Sequence, residues 1–437
     1  MKMKTIARLM PLLAAGLASG QASAAGFQLL EQNASGIGNA YAGSAAVAEN
    51  ASTIFFNPAG MTQLKDREVS VGLSLVRPTF KFKNQDSSVG AFNNAGNGGD
   101  AGSWAFLPNA YMSWALTKDV YAGIGFGAPF GLMTEYNDPW VGAAQAIKFD
   151  IKTYNINPSI ALRATEKLSV GFGINFQRME VEYARLVSSS AVPLPQVMAL
   201  NGTRATLSAS DNSWGWNIGA LFTLSPSTKV GVSYRSKIKH ELTGSLAVSG
   251  PAAGASPALT TGSAKADVDL PDTFILSVVQ KLDERWEMLG DISWTGWSSI
   301  DKVDIVRTSG SLSGRTVQTL DTAFRDSWRY ALGANYRLND TVKLKFGVAY
   351  DQTPVPGAQH RLVSLPDNNR TWFSTGAQLK LDKDARLDLG VAYLFVPESH
   401  IDNNQSTPAN PRTDKGYVKG VYDARVWILG AQYSMAF

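Results

Sequence analysis

The 437-residue sequence has no cysteine, only three histidines and few charges. Without cysteine it forms no disulfide, no zinc–thiolate site and no thiol nucleophile. A cysteine-free exported chain also escapes mispairing in an oxidising compartment. His240, His360 and His400 lie far apart with no nucleophile motif beside them, which argues against a hydrolase built on a base and its nucleophile. Charged residues make up 17% of the chain and glycine fills 40 positions, a balance that suits strands and tight turns better than a helical bundle. The net charge of +4 belongs to one end: three of the 40 basic residues are Lys2, Lys4 and Arg8, leaving 37 basic against 36 acidic side chains. No basic stripe remains for nucleic acid. Beyond the N-terminus no apolar run approaches the roughly twenty residues of a membrane-spanning helix.

What is present starts with a secretory signal. Lys2, Lys4 and Arg8 precede an apolar run over residues 9–17, and Ala22-Ser23-Ala24 supplies small residues for cleavage. The signal spans 1–24 and the expected mature chain begins at Ala25. The apolar run is too short to span a bilayer comfortably as an anchor. An exported chain without a spanning helix is periplasmic, secreted or a barrel.

Periodicity decides among these. Trp427, Leu429, Ala431, Tyr433, Met435 and Phe437 alternate with Ile428, Gly430, Gln432, Ser434 and Ala436. Val69, Val71, Leu73 and Leu75 alternate with Ser70, Gly72 and Ser74, and Val342, Leu344, Phe346, Val348 and Tyr350 with Lys343, Lys345, Gly347 and Ala349. A soluble sandwich would bury the large face and wet the small one. A membrane barrel turns the large face to lipid and keeps the small, partly charged face in a wet lumen. About fourteen such segments are expected, centred on Gly72, Tyr111, Gly125, Tyr154, Ile174, Ile218, Tyr234, Leu276, Ile292, Leu332, Phe346, Gly376, Val391 and Gly430.

Their connections alternate in length. Short turns are expected near Lys118, Glu166, Ser227, Glu284, Asp340 and Lys383. Longer polar loops fall over 84–103, 135–145, 188–204, 249–264, 307–315, 352–369 and 397–415. Short periplasmic turns and long extracellular loops are the habit of outer-membrane barrels, and the order puts both barrel ends on the periplasmic side. The fold class is therefore an all-β transmembrane antiparallel barrel over 68–437, in the outer membrane of a Gram-negative cell. Its final Phe437 is similar to the terminal signal read by the outer-membrane assembly machinery.

Residues 25–67 break the alternation. They are rich in Gly, Ala, Ser and Asn, too polar for a lipid face, and they precede the first strand. A barrel of about fourteen strands is too wide for its own side chains to fill. The segment is expected to fold back into the lumen as a plug, or hatch. Strand three carries Gly123, Gly125, Gly127 and Gly131, with Pro129, which lacks an amide hydrogen for the ladder. A mid-sheet proline predicts a bulge or break there.

Four stretches resemble the FadL family of hydrophobic-compound transporters. They are Ala25-Gly26-Phe27-Gln28-Leu29, Ser35-Gly36-Ile37-Gly38-Asn39-Ala40-Tyr41-Ala42-Gly43, Asn57-Pro58-Ala59, and Phe130-Gly131-Leu132-Met133-Thr134-Glu135-Tyr136-Asn137-Asp138. The resemblance implies a monomeric fourteen-stranded barrel closed by an N-terminal hatch. It implies that the hatch turn Asn57, Pro58 and Ala59 meets an inward kink in strand three. That kink, at Pro129, Phe130, Gly131, Leu132 and Met133, would open a gap through which the ligand leaves sideways. The implied ligand is a long-chain fatty acid or another hydrophobic compound, delivered to outer-membrane lipid beneath the lipopolysaccharide, with no cofactor and no metal.

A fatty acid needs an apolar tunnel with a cation at one end, because a buried carboxylate must be paired. Val181, Tyr183 and Arg185 share one face of strand five, and alternation from Gly171 and Gly173 turns that face to the lumen. Arg185 also falls where the family carries a carboxylate-binding arginine. A second cation is expected among Arg307, Arg315 and Arg325. Leu194, Val197, Met198 and Leu200 make an apolar cluster in a loop, where tips are normally polar, and suggest an outer capture groove. Three alternatives stay open. Monoaromatic hydrocarbons could follow the same route without needing Arg185. A general porin would carry strong charge ladders and a constricting loop rather than an N-terminal insert. An outer-membrane hydrolase would need catalytic groups that the sequence does not display.

Overall fold

A computed structural model of the chain describes residues 26–187, 202–407 and 414–437. Fourteen antiparallel strands close into a barrel. The first six are β1 (Arg67–Asn84), β2 (Ala105–Ala115), β3 in two pieces (Val120–Gly127 and Gly131–Glu135), β4 (Lys148–Arg163), β5 (Leu168–Leu186) and β6 (Arg204–Ser225). Four broken strands follow: β7 (Thr228–Arg235 and Ile238–Ser249), β8 (Gly262–Leu270 and Thr273–Lys281), β9 (Trp286–Thr295 and Lys302–Arg307) and β10 (Thr316–Asp321 and Ser327–Arg337). The last four are β11 (Val342–Asp351), β12 (Arg370–Lys380), β13 (Ala385–Phe395 and Ser399–Asn404) and β14 (Tyr417–Ala436). Each pairs with its sequence neighbour, and β14 returns to β1 in unbroken register from Glu68↔Ala436 to Asn84↔Gly420. Each expected strand centre falls inside its strand, and the wall begins at Arg67, one residue early.

The alternation has the physical meaning expected of it. On β6, Trp214 is 64% exposed while Asn217 is 1% exposed. On β14, Trp427, Leu429 and Tyr433 face outward while Ile428, Gln432 and Ser434 are buried. Large apolar side chains on the outside of a closed wall are stable only against lipid. No helix among the described residues is long and apolar enough to cross a membrane.

Residues 26–66 lie inside the barrel and are mostly buried. They form short turns, including one helical turn, α1 (Thr53–Phe56), and a tighter turn over Pro58–Gln63. Their fit depends on lumen-facing glycines. A Cβ at Gly347 of β11 would lie 2.1 Å from the carbonyl carbon of Asn39, and one at Gly231 of β7 would lie 1.9 Å from the Ala45 oxygen. Any larger residue there would collide with hatch backbone, which has no rotamer to give. Charge fixes the other side: Glu49 pairs with Lys343 at 2.9 Å and with Lys345 at 2.5 Å, and Lys345 also pairs with Asp388 at 3.0 Å. The charges on the small face of β11 thus meet partners in the lumen, as a wet interior allows.

Candidate ligand pocket and wall opening

The wall is interrupted at one point in β3. Against β4, the register runs to Gly127↔Asn155 and resumes at Gly131↔Lys152, so β3 carries one extra residue. A one-residue slip turns every later side chain to the opposite face. Before it, Ile124 and Phe126 face out and Tyr121 faces in; after it, Phe130, Thr134 and Tyr136 are buried inside. Thr153 of β4 fastens the bend: its hydroxyl accepts from the Phe130 amide at 2.9 Å and donates to the Phe130 carbonyl at 2.7 Å.

On the other side the ladder to β2 ends. It runs from Ala115↔Tyr121 to Ala110↔Phe126, whereas β2 continues along β1 to Ala105. Beyond Ala110 the hatch supplies the backbone partner for β3. Leu29 donates to the Pro129 carbonyl at 2.8 Å, Gly131 donates to the Phe27 carbonyl at 2.9 Å, and Gln28 bridges Phe130. Gln32 adds a side-chain bond to the Ala128 carbonyl at 2.7 Å. The glycines and Pro129 that marked this strand therefore mark both a bulge and a strand separation.

The Asn57 turn is seated elsewhere. Asn57 donates to the Ala220 carbonyl of β6 at 2.9 Å, and a Cβ at Gly171 of β5 would lie 2.4 Å from the Ala59 nitrogen. Pro58 and Ala59 are buried there, while Met61 and Ile54 reach β3 at Gly123 and Gly125, ahead of the kink. The expected meeting of Asn57, Pro58 and Ala59 with the kink is thus corrected: the hatch segment Phe27 to Gln32 meets the kink, while the turn locks onto β5 and β6. The turn is short and self-capped, with the Asn57 side chain accepting from Ala59 at 3.1 Å, so it docks as a unit wherever facing glycines leave room.

Above the hatch lies an apolar pocket. Phe27 forms its floor, Phe149, Ile151, Val181, Tyr183 and Leu207 line one wall, and β8 to β10 supply the other. Phe27 packs edge-on against Trp297 at 5.0 Å and against Phe130 at 6.0 Å, so hatch, kink and β9 meet in one aromatic layer. The cavity holds about 60 Å³, well below the roughly 300–1,000 Å³ of most small-molecule sites. A long ligand enters only as lining side chains yield.

Val181 and Tyr183 thus face the lumen as their alternation predicts, and Arg185 follows on the same face. Arg185 is half-buried and, among the described residues, donates only to the neighbouring Leu186 carbonyl, at 3.4 Å. A lysine that the alternation does not mark, Lys415, lies in the field of Arg185. Burial, with the like charge of Arg185 added, pulls Lys415 down to about 7. Neither cation has a carboxylate partner within 4.0 Å among the described residues. Arg307 instead is buried and donates to the Thr260 carbonyl at 2.7 Å, while Arg315 and Arg325 are exposed. No periodicity marks Lys415, which sits just before β14 at the end of a long loop. Leu132 and Met133 are half-buried at the bend, and Pro129 is buried. Leu194, Val197, Met198 and Leu200 lie outside the described residues. His240 is engaged by Asp211 at 3.0 Å and Gln177 at 3.2 Å, so a hydroxyl takes neither ring nitrogen.

The family comparison agrees with a kinked, hatch-filled fourteen-stranded barrel. The model for the outer membrane protein transport protein family (OMPP1/FadL/TodX) matches residues 15–437. The chain belongs to this family. The long-chain fatty acid transport protein of Shigella flexneri is 29% identical over 454 residues, covering 97% of each chain. The crystal structure of a Pseudomonas aeruginosa FadL homologue superposes with a TM-score of 0.85 at 22% identity, over 94% of this chain and 99% of that one. The Ralstonia pickettii toluene transporter TbuX superposes at 0.66 with 18% identity, over 93% and 99%. These likenesses establish the fold, and the family match makes the FadL-family chain an outer-membrane transport protein.

Proposed function

We propose that this FadL-family barrel takes up long-chain fatty acids by passive diffusion, with lateral exit between β2 and β3. The carrying observation is the apolar pocket together with two cations beyond its Tyr183 wall, Arg185 and the buried Lys415 in its field, that lack acidic partners among the described residues. Cations held close together out of water favour an anion between them, and a long apolar tail accounts for the pocket below. The likeness to the Shigella flexneri fatty acid transporter supports the same ligand class.

The route has four stages. Leu194, Val197, Met198 and Leu200 capture the ligand from water. The carboxylate then docks at Arg185 and Lys415, with the tail against Val181 and Tyr183. The swelling pocket pushes Phe27, and residues 25–67 act as the hatch that yields. The ligand leaves where Leu29 and Gly131 now close the wall, entering the outer leaflet beneath the lipopolysaccharide. No catalytic step, cofactor or metal takes part. The chain is exported with residues 1–24 as a signal removed after Ala24, the assembly machinery inserts it, and it works as a monomer.

A second reading, uptake of monoaromatic hydrocarbons, is favoured by the small free volume of the pocket, which suits a compact ring. Uptake of labelled oleate and toluene by cells lacking their own transporter separates the two. Oleate uptake that falls about tenfold in Arg185→Ala supports the carboxylate site, a change equal to about 1.4 kcal/mol. Toluene uptake without oleate uptake assigns the protein to hydrocarbons.

A further inference from the structure

The lumen wall between the kink and β7 carries a polar strip that the pocket does not use. Asn155 and Asn157 on β4, Asn175 on β5 and Asn217 on β6 are all buried. Asn155 donates to the Asn175 side-chain oxygen at 3.0 Å, and Asn157 and Asn175 both donate to that of Asn217 at 3.0 Å. One end of the strip is the kink, since Asn155 is the register partner of Gly127. The other end is Arg235, the register partner of Asn217, whose guanidinium donates to Asn175.

Arg235 is 8% exposed and has no carboxylate within 4.0 Å among the described residues. Its remaining partner is the hatch: it donates to the Phe55 carbonyl at 2.8 Å and lies 4.3 Å above the Phe55 ring. Two other buried or half-buried barrel arginines, Arg370 and Arg329, also hold hatch carbonyls, and acids attend both. Arg370 donates to Gly26 and pairs with Asp367 at 2.7 Å, while Arg329 donates to Ala40 at 2.6 Å in the field of Asp291. A buried guanidinium held by neutral oxygens alone is an incompletely compensated charge, and a carboxylate is a stronger partner than a carbonyl. Beside it the buried amide nitrogen of Asn217 and the side-chain oxygens of Asn155, Asn157 and Ser159 are unpartnered. Arg235 and Asn217 therefore present two donors side by side at the head of a polar strip that ends at the wall opening.

We propose that Arg235 and Asn217 form a second carboxylate site, latched onto the Phe55 carbonyl in the closed hatch, where the ligand's carboxylate replaces that carbonyl on its way to the opening. The idea rests on the fatty-acid reading above and adds to it a carboxylate-operated release of α1. The tail travels on the apolar side of the lumen while the headgroup is passed along the asparagines, and exchange of one acceptor for another needs no covalent step.

Uptake of oleate and of oleyl alcohol is compared in cells expressing wild type, Arg235→Gln or Arg235→Lys, with barrel folding checked by heat-modifiable gel mobility. Gln keeps a donor for the Phe55 carbonyl and removes the charge. The expected result is oleate uptake lowered about tenfold in Arg235→Gln, oleyl alcohol uptake within about twofold of wild type, and oleate uptake largely restored in Arg235→Lys. Equal loss of both ligands in Arg235→Gln means a structural role and overturns the proposal, as does oleate uptake unchanged within about twofold. Wild type that takes up oleyl alcohol but not oleate rejects the fatty-acid reading itself, and with it this site, before any variant is considered.

Discussion

The barrel is closed in two different ways on the two flanks of β1 and β2. Between β1 and β14 the ladder is continuous from Glu68↔Ala436 to Asn84↔Gly420. Between β2 and β3 it stops at Ala110↔Phe126, and the backbone of Phe27 and Leu29 takes over. The first seam opens only if the barrel unfolds. The second is held by a few hydrogen bonds, each contributing about 1 kcal/mol net, from a segment that is not itself a wall strand. The difference would let one chain be both tight and permeable: strength resides in the strand–strand seam, and the proposed passage lies where a separable part completes the wall.

That comparison can be broken from the hatch side. Gly347→Val puts a branched side chain where the Asn39 backbone now lies. The continuous seams should still assemble, but the hatch cannot seat. Ion conductance in planar bilayers is expected to rise about tenfold or more, with normal heat-modifiable mobility. Conductance like wild type would mean that the glycine contact does not hold the hatch.

A smaller effect sharpens the ligand side. Lys415 lies near 7 because of burial and the nearby Arg185 charge. Carboxylate binding favours its ammonium form. Below pH 7 that form is already present in the free protein; above it, binding must take up a proton, so affinity falls as pH rises. Oleate affinity of the purified barrel is expected to drop about threefold between roughly pH 7 and 8.5, and Lys415→Met should flatten the profile. A profile unchanged by that substitution would remove Lys415 from the site.

The wall was legible because lipid and lumen impose opposite chemistries on alternate residues. Val71 and Leu73 against Ser70 and Ser74, repeated strand after strand, leave little freedom in strand number or register. The bend was legible too, since Pro129 cannot continue a ladder. Its consequences were not. The slip at residues 128–130, which turns Phe130 inward, depends on which residue of β4 pairs next, and Thr153 carries no local mark of that role. The seat of Asn57 depends on glycines of β5 and β6 more than a hundred residues away. Lys415 and Arg235, the cations proposed to hold the ligand, carry no local mark for a related reason. A cation's value at a site lies in the acids that are missing around it, and that is a property of the folded lumen alone.

The central claim is that the ligand leaves where the hatch completes the wall. It is tested most directly by labelled oleate uptake through Gly131→Trp. A side chain there meets the Leu29 tip, 2.9 Å from an ideal Cβ, and fills the separation between β2 and β3. Conductance measured alongside must stay low, showing that the hatch is still seated. The account predicts uptake at background with the barrel folded and plugged. Uptake at the wild-type rate would contradict lateral exit and send the ligand down through the lumen instead.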